Sequence, residues 1–252
     1  MTVKYVINPT YANSLVSSFM DSLHTSFDHT GTVIFQNRRN IIKSFVLADG
    51  QVLVVKKFNY KGLLNACLRI FSKTKAQKAF ENGMTLKKAG IATPTPFAYS
   101  EQRKGCLPFC SYYVSSVTTD SSIKPLLECE EPDKQMIESF AALMVKMHRQ
   151  GIVHHDLNLS NVLYHEEDGM YKLSVIDINR MTLKTPEKLT IAECKDDFFR
   201  WTGRLELFLK VAYSYAQQRG WNAEVFVRKL IISKIDHDKR WTRRKKLHSF
   251  FS

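Results

Sequence analysis

The chain has no apolar run near the roughly 20 residues needed to cross a bilayer, and Met1 to Pro9 lacks the charged-then-apolar pattern of a signal peptide. Both absences exclude the membrane-span and secretory readings of this stretch and lead to a cytoplasmic expectation. Cysteine is sparse: the five residues, at 67, 106, 110, 129 and 194, are scattered and odd in number. Cys106 and Cys110 have no second Cys or His pair at zinc-ligand spacing, so reduced structural thiols are expected rather than a disulfide scaffold or a zinc knuckle. Glycine is equally scarce, 10 in 252, and no G-x-G-x-x-G tract occurs, which removes one common phosphate cradle. Outside the C-terminus no aromatics interleave with Lys and Arg, so no stacking platform for single-stranded RNA is evident. What remains is ordinary globular content, 44% hydrophobic and 24% charged, with a formal net charge of +13. That surplus favours an anionic partner: nucleotide phosphates, nucleic acid or the anionic cytoplasmic leaflet.

The densest chemical signal lies between His154 and Arg180. His154-His-Asp-Leu-Asn-Leu-Ser-Asn161 follows the apolar pair Ile152-Val153, and Asp177 closes a second apolar run, Leu173-Ser-Val-Ile176. This is the H-x-D-L-x-x-x-N plus metal-Asp layout of a phosphotransferase. Phosphoryl transfer requires hard oxygen ligands for a divalent cation from two chain segments, with another carboxylate available to orient the attacking hydroxyl. A hairpin supplies such convergence: Val162-Leu-Tyr164 and Leu173–Ile176 flank an Asp168-Gly169 turn signal. Asn161 and Asp177 are therefore expected to hold Mg²⁺, and Asp156 to be the catalytic carboxylate.

Upstream, residues 31–35, 41–47 and 51–58 read as three successive antiparallel strands. The first turn, Gln36-Asn-Arg-Arg-Asn40, is basic rather than glycine-rich, so Arg38 or Arg39 is a candidate phosphate contact, with an exposed basic hairpin as the bland alternative. Lys56 ends the third strand and is expected to meet the nucleotide phosphates; Lys57 points to the other face. Val54 shares the face of Lys56 and would line an adenine pocket. Glu81, the sole carboxylate between Lys56 and Gly90 and part of an expected helix, is the candidate partner of that lysine. Gly90-Ile-Ala-Thr-Pro94 ends the helix. Cys110–Ser116 is expected to be an edge strand and hinge. Asp133 to Gln150 is the clearest helix, with a Met/Phe core stripe ending at Gly151. Two helices are expected over about 192–218 and 222–234, and Lys239-Arg-Trp-Thr-Arg-Arg-Lys-Lys246 is either a solvated helix end or an anion-binding surface.

Val54-Val-Lys-Lys-Phe58, Ala79-Phe-Glu81, Gly90-Ile-Ala-Thr-Pro94, His154–Asn161 and Ile176-Asp-Ile-Asn-Arg180, in this order, resemble the lipopolysaccharide kinase (Kdo/WaaP-like) branch of the protein-kinase-like superfamily. The resemblance implies an α+β bilobal fold: an N-lobe over 1–113 with an antiparallel sheet and one helix, and a reduced, mainly helical C-lobe over 114–252. It implies transfer of the ATP γ-phosphate, with Mg²⁺, to a Kdo or heptose hydroxyl of the lipopolysaccharide inner core at the cytoplasmic membrane face. The basic C-terminus with Trp241, Phe250 and Phe251 would then meet the membrane or the glycolipid, and nucleic acid is disfavoured. Two rivals stay open, a small protein or tRNA-associated atypical kinase and a non-catalytic pseudokinase. Retention of Lys56, Asp156, Asn161 and Asp177 together weighs against the latter.

Overall fold

The computed structural model describes residues 1–37, 40–60, 72–185, 190–199 and 204–250, with side chains described up to residue 240 and at Thr242 and Arg243. Arg38 and Arg39, Cys67 and Phe251 lie outside the described residues, as do the side chains of Trp241 and Phe250. Two compact units are present, Met1–Thr119 with Val175–Arg180, and Asp120–Ser174 with Met181–Ser252. The division expected after residue 113 falls inside a strand.

The first unit is a six-stranded sheet in the order β1-β5-β6-β4-β3-β2, built from β1 (Thr2–Ile7), β2 (Thr32–Gln36), β3 (Asn40–Val46), β4 (Val52–Asn59), β5 (Pro96–Lys104) and β6 (Leu107–Ser116). The three-strand run read from the sequence is β2 to β4, paired antiparallel. Cys110–Ser116 is not an edge: β6 lies between β4 and β5. The N-terminal β1, which carries no turn or alternation strong enough to be read as a strand, pairs with β5 and takes an edge position.

A second unforeseen element is α1 (Ser14–Ser26), capped by the Asn13 side chain on the Val16 amide. Its Val16, Met20 and Leu23, with Phe27, bury against Phe45, Leu53, Val55, Tyr112 and Val114. Strand alternation divides the side chains of β4 between the two faces of the sheet. Leu53, Val55 and Lys57 face α1, where the Lys57 ammonium lies over the Phe27 ring and pairs with Asp28. Val54, Lys56 and Phe58 take the other face. The expected helix around Glu81 is α2 (Lys75–Lys88), packed on β5 and β6. Its N-cap Thr74 accepts from the Gln77 amide and donates to the buried Glu101 carboxylate at 2.6 Å. Gly90 follows its C-terminus at φ 65°, the left-handed region where glycine is least strained.

The second unit holds β7 (Ser121–Ser122), α3 (Lys124–Glu128), α4 (Lys134–Arg149), β8 (Ile152–Val153), β9 (Val162–Glu167), β10 (Met170–Val175), β11 (Thr182–Leu183), α5 (Ile191–Cys194), α6 (Leu205–Arg219) and α7 (Ala223–Phe250). Helix α4 matches its sequence pattern closely: Asp133 caps it, Met136, Ile137, Phe140, Met144, Met147 and His148 are buried, and Gly151 follows at φ 74°. Strands β9 and β10 form the expected hairpin, with both Asp168 and Gly169 at positive φ, the requirement of a two-residue turn matched to strand twist. Behind α4, Tyr215 of α6, Phe198 and Phe226 of α7 make an aromatic cluster.

Two helix expectations are corrected. The stretch from 192 begins as α5 and tightens into a 3-10 turn at Lys195–Asp197, and Leu205–Arg219 is a separate helix; the turn aims Asp197 into the interior. Helix α7 does not stop near Lys234 but runs to Phe250, because the basic block contains no Gly or Pro to end it. Among the described residues no helix is long and apolar enough to cross a membrane.

Candidate functional site

In the first unit the central feature is the pair Lys56 and Asp177, 121 residues apart in sequence. The Lys56 ammonium donates to Asp177 Oδ1 at 2.7 Å, with the two side chains 17% and 32% exposed. Lys56 reaches this position because it occupies the β4 face opposite α1, beside the Phe58 ring. Asp177 has φ 57°, a backbone conformation that costs a non-glycine residue on the order of 1 kcal/mol and is held only where neighbours over-determine it. The neighbours are identifiable. Asn179 Nδ2 donates to the same Asp177 oxygen at 2.6 Å, and Asn82 of α2 donates to the Ile178 carbonyl at 2.7 Å. Ile178 is buried, and a Cβ placed at Gly83 of α2 would come within 3.4 Å of its Cδ1. Helix α2 therefore bears directly on the turn that presents Asp177.

Glu81 does not meet Lys56 here. Its carboxylate accepts from Lys73 at 2.7 Å and from Gln77 at 3.0 Å: Lys73, just before α2, reaches the exposed side of the helix where Glu81 sits, and the carboxylate on Lys56 is that of Asp177. Val54 is half-buried two residues before Lys56, opposite Ser44 and Ser115. Arg38 lies outside the described residues.

In the second unit, the loop His154–Asn161 is entered from β8, which pairs with β11. Leu157 and Leu159 are buried and pin the loop from within. The Asn158 side chain caps the short turn at the Ser160 amide. Asn161 Nδ2 donates to the Asp156 carbonyl at 2.9 Å, so the amide oxygen of Asn161 is the atom available to a hard cation. His154 is fully buried and its Nδ1 accepts from the Asp156 amide, a packing and hydrogen-bonding position. His155 stands at φ 63°, bonded through Nε2 to Thr182 at 2.7 Å.

The residue that sequence reading missed is Asp197. Fully buried, it accepts from the His154 amide at 2.9 Å and the His155 amide at 2.7 Å, and pairs with His148 Nε2 at 3.2 Å. His148 Nδ1 meets the Tyr215 hydroxyl at 2.8 Å. Burial by itself would lower the His148 pKa, but the hydrogen bonds and charges of Asp197 and the Cys194 thiol outweigh it and push it up to about 9. Burial opposes ionisation of Asp197 too, yet the imidazolium and the loop amides hold its pKa below the usual carboxylate value. A buried ion pair thus clamps the strained backbone immediately before Asp156. The only hint in the sequence was an acidic residue directly preceding Phe198-Phe199.

Among the described residues no three His, Cys, Asp or Glu side chains group as a metal site. The donor chemistry nevertheless suits Mg²⁺, which is usually held by one or two protein oxygens with phosphates and water completing the shell. A carboxylate at Asp177 and an oriented amide oxygen at Asn161 are donors of that type.

Residues 38–195 match the family model described as the lipopolysaccharide kinase (Kdo/WaaP) family. A 3-deoxy-D-manno-octulosonic acid kinase of Vibrio vulnificus (strain YJ016) is 24% identical over 112 residues, covering 44% of this chain and 46% of that protein. Another from Vibrio parahaemolyticus serotype O3:K6 is 23% identical over 142 residues, covering 54% and 58%. The chain spans about half the length of the curated relatives it matches. The solved structure of WaaP in complex with acyl carrier protein superimposes with a TM-score of 0.65 at 18% identity, covering 94% of this chain and 98% of that one. The fold is the α+β, protein-kinase-like one expected from the sequence, and with more than half its length matched by the family model the chain belongs to the lipopolysaccharide kinase (Kdo/WaaP) family.

Proposed function

We propose that this chain is an ATP-dependent kinase that phosphorylates a hydroxyl of 3-deoxy-D-manno-octulosonic acid in the lipopolysaccharide inner core, on the cytoplasmic side where ATP is available. The observation that carries this reading is the 2.7 Å pair of Lys56 and Asp177, the strand lysine and the metal aspartate named independently from the sequence. The choice of sugar follows the curated Vibrio relatives. The first compact unit then serves as the N-lobe of the enzyme and the second as its C-lobe.

Asp156 orients the acceptor hydroxyl and accepts its proton as the new bond from that oxygen to the γ-phosphorus forms and the β,γ-bridging bond breaks, releasing ADP. Lys56 exchanges its bond to Asp177 for the nucleotide phosphates, and Val54 lines the adenine pocket. Asn161 and Asp177 would hold Mg²⁺, which when bound would supply charge neutralisation at the phosphate oxygens. Glu81, paired with Lys73 in the free protein, becomes the partner of Lys56 when nucleotide binds, and Arg38 contacts the phosphates.

The test is transfer of label from γ-labelled ATP, with Mg²⁺, to inner-core precursors with and without heptose, to tRNA and to a generic protein. Label should enter the Kdo-bearing glycolipid alone; Asp156→Ala should abolish transfer yet leave nucleotide binding, and Asp177→Ala should weaken Mg²⁺-nucleotide binding as well. Label in tRNA or protein would overturn the acceptor in favour of an atypical kinase. Nucleotide binding without transfer to any acceptor would point to a pseudokinase.

A further inference from the structure

Helix α7 spans 28 residues, about 42 Å at 1.5 Å per residue. Its inner side is committed to the second unit. Phe226, Val227 and Leu230 are buried, His237 stacks on Phe199, Ser233 meets Lys195, and Lys234 lies over Phe208. The outer side is composed differently from a solvated helix face. Val225, Ile232 and Ile235 are 49%, 56% and 47% exposed, and Arg228, Lys229, Lys239, Arg240 and Arg243 are exposed on the same side, with Asp236 among them and Glu224 and the Lys234-paired Asp238 exposed at its edge. These positions recur at three- and four-residue intervals and so form one stripe along the helix.

From this stripe we infer that the outer face of α7 docks on an anionic lipid bilayer, with the three aliphatic side chains inserted and the surrounding cations against the phosphate headgroups. Charge complementarity carries the identity of the partner: the chain has a net charge of +13, and a helix with cations flanking branched aliphatic residues suits the boundary between headgroup and acyl chain. A nucleic acid partner would use the cations but has no place for exposed Val and Ile, and stacking aromatics are not among the described residues of this face. The inference agrees with a lipid-linked acceptor but does not need it, since docking is measurable without ATP.

The full chain is mixed with vesicles of phosphatidylcholine alone or with about one third phosphatidylglycerol, and binding is followed by co-sedimentation at low and high salt. Binding should require the anionic lipid and weaken with salt. Each cation at the leaflet contributes on the order of a fivefold gain in partitioning, so the pair Lys239→Glu and Arg243→Glu should lower binding by at least about 25-fold. The pair Ile232→Ser and Ile235→Ser, which leaves the charge intact, should lower it by roughly tenfold or more. All four positions are exposed, and circular dichroism should be unchanged. The reversal placed instead at Lys4 and Lys104, both exposed on the sheet unit, should have a much smaller effect. The inference is overturned by no binding to anionic vesicles, by Ile variants that bind as well as the parent, or by equal losses at Lys4 and Lys104. Tighter binding of an acidic protein or of tRNA, displacing the vesicles, would also overturn it. None of these outcomes bears on whether γ-phosphate transfer occurs.

Discussion

The buried pair beneath the loop His154–Asn161 makes a quantitative prediction about pH. His148 is completely buried, and its pKa rises from 6.5 to about 9 in the folded protein. Because the folded value lies above the unfolded one, the charged imidazole stabilises the fold fully below about pH 6.5, and this contribution is lost as pH rises through about 9. At 1.36 kcal/mol per tenfold change in proton affinity, the gap corresponds to about 3 kcal/mol, within the roughly 3–5 kcal/mol seen when one partner of a buried ion pair is removed. Asp197 works in the opposite sense: its lowered pKa makes its contribution appear above the unfolded carboxylate value and vanish as pH falls through the folded one. Urea unfolding of the parent chain should therefore show this contribution level below about pH 6.5, declining by about 3 kcal/mol between about pH 6.5 and 9, and flat above. His148→Gln should start lower by about 3 kcal/mol and lose that alkaline decline. Cys194 and Tyr215 also face the imidazole, so Cys194→Ala serves as the control and should retain the decline. Because Asp197 holds the amides at 154 and 155, the turnover of folded His148→Gln should fall with little change in KM for ATP. A parent chain whose stability is flat to about pH 9, or a Gln variant with the same alkaline decline, would refute the linkage between this pair and stability.

Two further outcomes separate positions that look alike in sequence. Lys56→Met should abolish detectable nucleotide binding by titration calorimetry, whereas Lys57→Met, on the α1 face with Asp28, should keep it and cost no more than about 1 kcal/mol of stability; equal losses would contradict the face assignment. Gly83→Val would set side-chain atoms against Pro96 and Ile178, where even a Cβ finds neighbours at 3.3–3.4 Å. It should cost roughly 1–3 kcal/mol and weaken Mg²⁺-ADP binding at temperatures where the variant remains folded, and unchanged binding would show that α2 does not position the Asp177 turn.

Much of this molecule is local chemistry that a linear sequence displays. Strand alternation on β4 separates Lys56 from Lys57, the Asp168-Gly169 dipeptide requires a tight hairpin, and Asp133 with Gly151 brackets α4 as capping physics demands. The loop motif and the aspartate after β10 named Asp156, Asn161 and Asp177 because phosphoryl transfer limits which residue types serve at that spacing. Tertiary structure decided what depends on partners distant in the chain. Residues 107–116 became an interior strand because β4 pairs along one side and β5 along the other, partners that lie outside the segment itself. Glu81 went to Lys73, since an exposed carboxylate is taken by whichever cation the helix geometry brings nearest. Asp197 gave no strong sequence signal: its role comes from burial beside His148 and beneath two loop amides, and burial is set by packing rather than by the residues next to it in the chain.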